Sequence, residues 1–260
     1  MITGFAAELN GARIAGETRG HDPRAVFLHG FGGSGRDWDR VWTALPAGLA
    51  VLRYDQRGFG RSKAEEAAAY SHRADLLALL DARGIAQADL IGLSQGGSIA
   101  CHFALEHPHR VRRLVLVSPA LYGWKWSEQW RSVWRAATAA AGAGDIAGAR
   151  AAWSAHPMFT PAHAGPAGPE LAATLAAFPG RQWLADPALP ETPDVDRLDA
   201  LTAPTLLLTG TEDVADFRQI AAVLEQAVPG LRRVDLPGAG HLLNLERTDE
   251  VAREIAAFLQ

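Results

Sequence analysis

The 260-residue sequence holds a single cysteine, Cys101, so an internal disulfide and a disulfide-stapled fold are both excluded. A lone thiol fits a reducing, cytoplasmic setting, and its place in an apolar, helix-like stretch marks it as core packing. No apolar run reaches the roughly 18 residues of a membrane span. The opening "MITGFAAELNGARI" lacks the cationic start and apolar middle of a signal peptide. No basic block stands out, and 25 Lys and Arg against 29 Asp and Glu leave a formal charge of −4. Neither nucleic acid nor a membrane is therefore expected as a partner. No internal repeat is visible. Hydrophobic residues make up 48% of the chain, enough for a sizeable core. The length allows one large domain or a core with an insertion.

Two strand-like runs flank Asn10-Gly11 in "FAAELNGARIAGET", which predicts a hairpin with a type I′ turn. Strand and helix patterns then alternate. "AVFLH", "LAVLRYD", "DLIGL" and "VRRLVLVS" read as strands; "GRDWDRVWTAL", "SHRADLLALLDARG" and "QGGSIACHFALEHP" read as helices. Leu76, Leu79 and Leu80 share one helix face, and Gly84 stops that helix. The pattern resumes late with strands "PTLLLTG" and "LRRVDL" and helices "DFRQIAAVLEQAV" and "TDEVAREIAAFLQ", the last with Thr248 as expected N-cap. Between Ser118 and Pro204 the alternation stops. "SEQWRSVWRAATAA" is helical there, "HPMFTPAHAGPAGPE" reads as loop, and no strand is evident. The expected fold is α/β: a mostly parallel, doubly wound sheet with a helical cap insertion. Residues 1–119 and 201–260 form the two parts of the core, and 120–200 form the cap.

"VFLHGFGGSGRDW" poses a choice. Gly30, Gly32 and Gly35 spell G-x-G-x-x-G after a strand, and Asp55 follows about 20 residues on, as a dinucleotide site requires. A second motif decides against that reading. Gly92-Leu93-Ser94-Gln95-Gly96 is a G-x-S-x-G between a strand and a helix, the setting of a nucleophile elbow. A serine hydroxyl needs a base, and the base needs an orienting acid. In such a sheet the acid follows a later strand and the histidine comes last. Glu212, Asp213 and Asp216 lie beyond "PTLLLTG", and His241 lies in a Gly-rich loop beyond "LRRVDL". Asp213 is the favoured acid; Asp216 is the alternative, although it also suits a helix N-cap. Asp194, Asp196 and Asp199 read as solvated. The Gly loop then becomes an oxyanion loop, with the Phe31 N–H as one donor and the Gln95 N–H as the other. It lacks the Lys-Ser/Thr ending of a P-loop.

Taken together, "HGFGG", "YDQRGFGRS", "GLSQGG", "HPHRVRRLVLVSP", "LLLTGTEDV" and "PGAGHLLNLE" resemble, in order, segments of the α/β-hydrolase superfamily. "DLLALLDARGI" with "GLSQGG" is similar to the branch of 3-oxoadipate enol-lactonases, small carboxylesterases and cofactor-free haloperoxidases. The resemblance implies a structural turn at Asp55-Gln56-Arg57-Gly58. It implies a serine hydrolase of esters or lactones, with Ser94, Asp213 and His241 catalytic. Neither a cofactor nor a metal is implied. An aspartate at the Ser94 position, as in epoxide hydrolases and dehalogenases, is absent.

Six of the eight tryptophans fall in the insertion, and Trp126, Trp130 and Trp134 are spaced as one helix stripe. They either dock the cap or line an apolar pocket over Ser94. Trp124, Trp126, Trp130, Trp153, Met158, Phe159 and Trp183 are the pocket candidates. The expected partner is a small, mainly apolar substrate, and a homo-oligomer is left open. Carbon–carbon bond hydrolysis, perhydrolysis or cyclisation use the same triad, and a ligand-binding receptor on this scaffold is a further reading.

Overall fold

The computed structural model of the protein describes residues 1–64 and 69–260. Ile2–Leu9 (β1) and Ala12–Arg19 (β2) form the expected hairpin, with Asn10 at φ 49° and Gly11 at φ 74°, both positive as a type I′ turn demands. The core continues with Ala25–Leu28 (β3), a 3-10 turn Gly35–Trp38, Asp39–Ala44 (α1), Val51–Tyr54 (β4) and Lys63–Ala64 (β5). His72–Ala82 (α2), Ala88–Leu93 (β6), Gln95–Glu106 (α3) and Val111–Val117 (β7) follow. Then come five inserted helices: Glu128–Gly142 (α4), Ile146–Ser154 (α5), Thr160–Ala164 (α6), Gly168–Ala177 (α7) and Arg181–Leu184 (α8). Thr205–Gly210 (β8), Ala215–Ala227 (α9), Arg232–Leu236 (β9), Leu243–Glu246 (α10) and Thr248–Phe258 (α11) complete the chain.

The sheet runs β1-β2-β4-β3-β6-β7-β8-β9, with β5 on β2; every pairing from β4 to β9 is parallel. Parallel strands need both faces covered, and alternate side chains show how this is met. Val26 and Leu28 enter one apolar cluster together with Leu76, Leu80 and Ile99 from α2 and α3. Ala25 and Phe27 enter the other, with Val41 of α1 and Val251 and Ile255 of α11. Cys101 sits in the first cluster, and burial pushes its thiol up, well away from reactivity.

Four local expectations need correction. "HPMFTPAHAGPAGPE" is not loop: it forms a 3-10 turn, α6 and the start of α7. Pro157, Pro161 and Pro169 occupy first helical turns, where the missing N–H has no intrahelical acceptor to lose, and Pro166 lies in the turn between α6 and α7. The Trp stripe is only partly helical. Trp126 precedes the N-cap Ser127 and stacks on Trp130 at 4.1 Å between ring centres. Thr248 is not an N-cap; that position is Arg247, and the Thr248 hydroxyl donates to the Asn244 carbonyl at 2.9 Å. Asp194 is fully buried instead of solvated, accepting from His102 Nδ1 at 2.8 Å and Arg197 Nη2 at 2.9 Å. Asp196 and Asp199 are exposed as expected.

Candidate active site

Ser94 stands between β6 and α3 at φ 51°, ψ −114°, a region that side-chain-bearing residues rarely occupy. The flanking glycines are steric necessities. A Cβ on Gly92 would lie 2.3 Å from the Gly96 carbonyl oxygen, and one on Gly96 would lie 2.3 Å from that of Leu28. The Ser94 N–H donates to the Val117 carbonyl at 3.0 Å, and the Ser94 carbonyl accepts from Ala120 N–H at 3.0 Å. Both contacts tie the elbow to the end of β7.

His241 follows β9 and Asp213 follows β8, and the structure brings them together. Asp213 Oδ2 lies 2.9 Å from His241 Nδ1, and both side chains are 2% exposed. Asp213 Oδ1 accepts the Val214 N–H at 2.7 Å, which fixes the carboxylate. An acceptor at Nδ1 places the ring proton there and leaves Nε2 free to take another. The two loops are joined where Glu212 N–H donates to the Ala239 carbonyl at 2.8 Å. Phe217 packs on the imidazole, ring centres 4.0 Å apart.

Asp213, not Asp216, is the carboxylate hydrogen-bonded to His241, and Asp216 is not an N-cap: Val214 is the N-cap of α9. Its buried carboxylate instead accepts from Trp124 Nε1 at 3.1 Å, Ser127 N at 3.0 Å and Ser127 Oγ at 2.5 Å. It thus ties the insertion to the core beside His241. Glu212 is exposed.

The loop after β3 lies over the elbow: a Cβ added to Gly30 would meet Ser94 Cβ at 3.5 Å. His29 braces it. Its Nε2 accepts the Gln56 N–H at 2.9 Å, so Nδ1 carries the proton and donates to the Gly30 carbonyl at 2.7 Å. Burial holds the His29 pKa below its usual value, keeping the ring neutral. Gln56 Nε2 returns a bond to the His29 carbonyl at 2.6 Å. Asp55 accepts from Gly35 N–H and Arg61 N–H, each at 2.8 Å, and so organises a turn. The Phe31 ring is wedged among Trp134, Trp153 and Phe178 at 5.2–5.3 Å, which positions its N–H. Gln95 is the first residue of α3, so its N–H has no acceptor within the helix.

Two cavities meet at Ser94 and Phe31. The first, about 620 Å³ counted to its open mouth, is lined by His241, Trp130, Trp153, Met158, Phe159, Leu171 and Leu175 among others. The second, about 570 Å³, is lined by Gln95, Ser98, Leu121, Tyr122, Trp126, Trp130, Trp134 and Trp153 among others. Of the pocket candidates, Trp126, Trp130, Trp153, Met158 and Phe159 line a cavity. Trp124, whose Nε1 donates to Asp216, and Trp183, which packs on Phe178 at 4.8 Å, line neither of these two cavities.

Glu246 was not foreseen. Its carboxylate accepts the Gly240 N–H at 2.5 Å and the Leu242 N–H at 3.0 Å, gripping the backbone on both sides of His241. Glu246 follows His241 by five residues, and a carboxylate folding back onto a preceding loop is the available sequence signal. Among the described residues, no group of three or more His, Cys, Asp or Glu could hold a metal ion, and no helix is long and apolar enough to cross a membrane.

A strained serine elbow, a following acid and a last histidine on a parallel sheet define a class of protein. A family profile described as the alpha/beta hydrolase fold matches residues 23–248, and the chain belongs to that family. It is 32% identical over 251 residues to the putative carbamate hydrolase RutD of Variovorax paradoxus, covering 92% of each chain. The protein of that name from Klebsiella pneumoniae is 32% identical over 239 residues, covering 87% of each. The structure resembles the enol-lactonase from Burkholderia xenovorans with a TM-score of 0.82 at 25% identity, covering 98% and 99% of the two chains. Est816, described as an N-acyl homoserine lactone degrading enzyme, superposes with a TM-score of 0.78 at 26% identity, over 98% of this chain and all of that one.

Proposed function

We propose that this protein is a serine hydrolase that opens esters or lactones of small to medium, mainly apolar molecules through an acyl-enzyme. The observation that carries the reading is the buried Asp213–His241 pair on the cavity that Ser94 lines. Ser94 Oγ attacks the carbonyl carbon while His241 Nε2 takes its proton. Asp213 holds the imidazole in the required tautomer and stabilises the imidazolium. The Phe31 and Gln95 N–H groups receive the charge that builds on the carbonyl oxygen. The carbon–oxygen bond to the leaving group then breaks, and His241 returns its proton to that oxygen. Water activated by His241 releases the acid and restores Ser94. No step calls for a cofactor or a metal.

The inserted helices, residues 120–200, serve as a cap that excludes water and shapes the pocket. Asp216 is its anchor beside the acid and the base. A carbamate is the second reading, favoured by relatives of that name along most of the chain. Turnover of p-nitrophenyl acetate and butyrate by the wild type, set against Ser94→Ala, tests the proposal; p-nitrophenyl N-methylcarbamate tests the second reading. Ester turnover that depends on Ser94 supports the assignment. Equal turnover by both proteins, or none by the wild type, contradicts it.

A further inference from the structure

The two cavities at Ser94 differ in the chemistry of their walls. Phe31, Trp130 and Trp153 line both. The His241 cavity adds the aliphatic side chains of Met158, Leu171, Leu175 and Leu245, with Phe159 as its one further phenyl or indole ring. Asp37 and Glu170 bring carboxyl groups to it. The other cavity adds Trp126, Trp134 and Tyr122, and among the described residues no charged side chain lines it. These three rings are half-buried, so ring surface remains open to a ligand. The aromatic wall is braced by its own members. Trp126 stacks on Trp130 at 4.1 Å between ring centres, and Trp130 and Trp134 meet Trp153 edge to face at 5.5 Å and 5.9 Å. Phe31 closes the corner 5.2 Å from Trp134. Rings held in this way have little freedom left to lose when a ligand arrives.

We infer that the tryptophan-lined cavity is the acyl chamber and that it selects an aromatic acyl group, so that the substrate class is an ester of an aryl-bearing carboxylic acid. The inference rests on the serine-hydrolase reading above. His241 returns its proton to the leaving oxygen, and His241 lines the first cavity and not the second. The alcohol therefore departs on that side. Water must then reach His241 and the acyl carbon through the space the alcohol vacates, so the acyl group has to lie elsewhere. The second cavity is what remains beside Ser94. Gln95, whose N–H receives the charge of the carbonyl oxygen, lines it and not the first. An acyl ring placed there meets aromatic rings on several sides, and such pairs gain more than their buried area alone. An acyl group ending in a carboxylate meets no cation on this wall and fits poorly.

The test compares ethyl 3-phenylpropanoate with ethyl 3-cyclohexylpropanoate, two acyl groups of one carbon skeleton whose rings are too far from the carbonyl to alter its reactivity much. The saturated ring is at least as apolar, so burial alone gives phenyl no advantage. A mirror pair, 2-phenylethyl and 2-cyclohexylethyl acetate, carries the rings on the alcohol side. Acid release is followed by pH-stat. Wild type should favour the phenyl acyl ester by about two- to tenfold in kcat/KM, and by more than it favours phenyl in the mirror pair. Trp126→Leu and Trp134→Leu, which alter the second cavity alone, should each move the acyl-side ratio toward unity and leave the alcohol-side ratio in place. A wild-type acyl-side ratio of one or below overturns the inference, whether or not the variants fold. So does a phenyl preference as large on the alcohol side, or an acyl-side ratio that neither variant changes. Turnover of these esters that survives in Ser94→Ala, or the absence of any turnover by the wild type, would instead remove the hydrolase reading beneath it.

Discussion

Replacing His156 by asparagine should make the protein more tolerant of acid. His156 is buried, and its Nδ1 accepts the Met158 N–H at 3.1 Å, so the ring proton sits on Nε2, which has no partner. Burial, with His241 adding, pushes its pKa down to about 4, against an unfolded value near 6.5. As pH falls below about 6.5 the unfolded chain takes up this proton first. The stability it confers is complete above that pH and is lost progressively as pH drops toward 4. The full slope is about 1.4 kcal/mol per unit and is reached only between the two pKa values, so the loss between pH 6.5 and 4.5 is about 2 kcal/mol. His72, pushed down by burial to about 4, acts in the same direction, and Asp37, pushed up to about 7, opposes both. The difference between wild type and His156→Asn isolates one proton from these. Asparagine keeps an acceptor for the Met158 N–H. Urea titrations at pH 7 and pH 4.5 should show the stability gap moving by about 2 kcal/mol in favour of the variant. A gap that is the same at both pH values refutes a buried neutral His156.

Other substitutions separate the carboxylates around the base. Asp213→Asn should lower kcat by about 10⁴, since the wrong tautomer of His241 is then held. Asp216→Asn should leave kcat within about tenfold but raise KM and lower the melting temperature by roughly 2–8 °C, for the loss of about 1–2 kcal/mol of anchoring. Steady-state kinetics and thermal melts of the pair decide, and reversed effects would exchange the two roles. Glu246→Gln should cost about tenfold or more in kcat with little change in KM, because the His241 loop loses a charge-assisted grip; unchanged kcat would show that the grip is immaterial.

The parts of the protein that local chemistry determines were legible in the sequence. The hairpin is set by Asn10-Gly11, the strands by apolar runs, and the elbow by two glycines with no room for a Cβ. Chain order then singled out Asp213 and His241. Long-range pairings were not legible. Asp216 meets Ser127 from 89 residues away and Asp194 meets His102 from 92, so nothing beside either aspartate signals its partner. The helices around Pro157, Pro161 and Pro169 were hidden because proline and glycine read as breakers, although the first helical turn tolerates both. Trp124 and Trp183 look like Trp130 in composition, and only packing separates wall from anchor.

The most direct test of the account is where an activated serine reagent lands. Intact-mass and peptide mass spectrometry after a fluorophosphonate probe should show one adduct, on the peptide bearing Ser94, with esterase activity lost in proportion. Ser94→Ala should take up no label, and His241→Ala should take it up far more slowly. An adduct on another residue, or labelling that persists in Ser94→Ala, would contradict the assignment of Ser94 as the nucleophile.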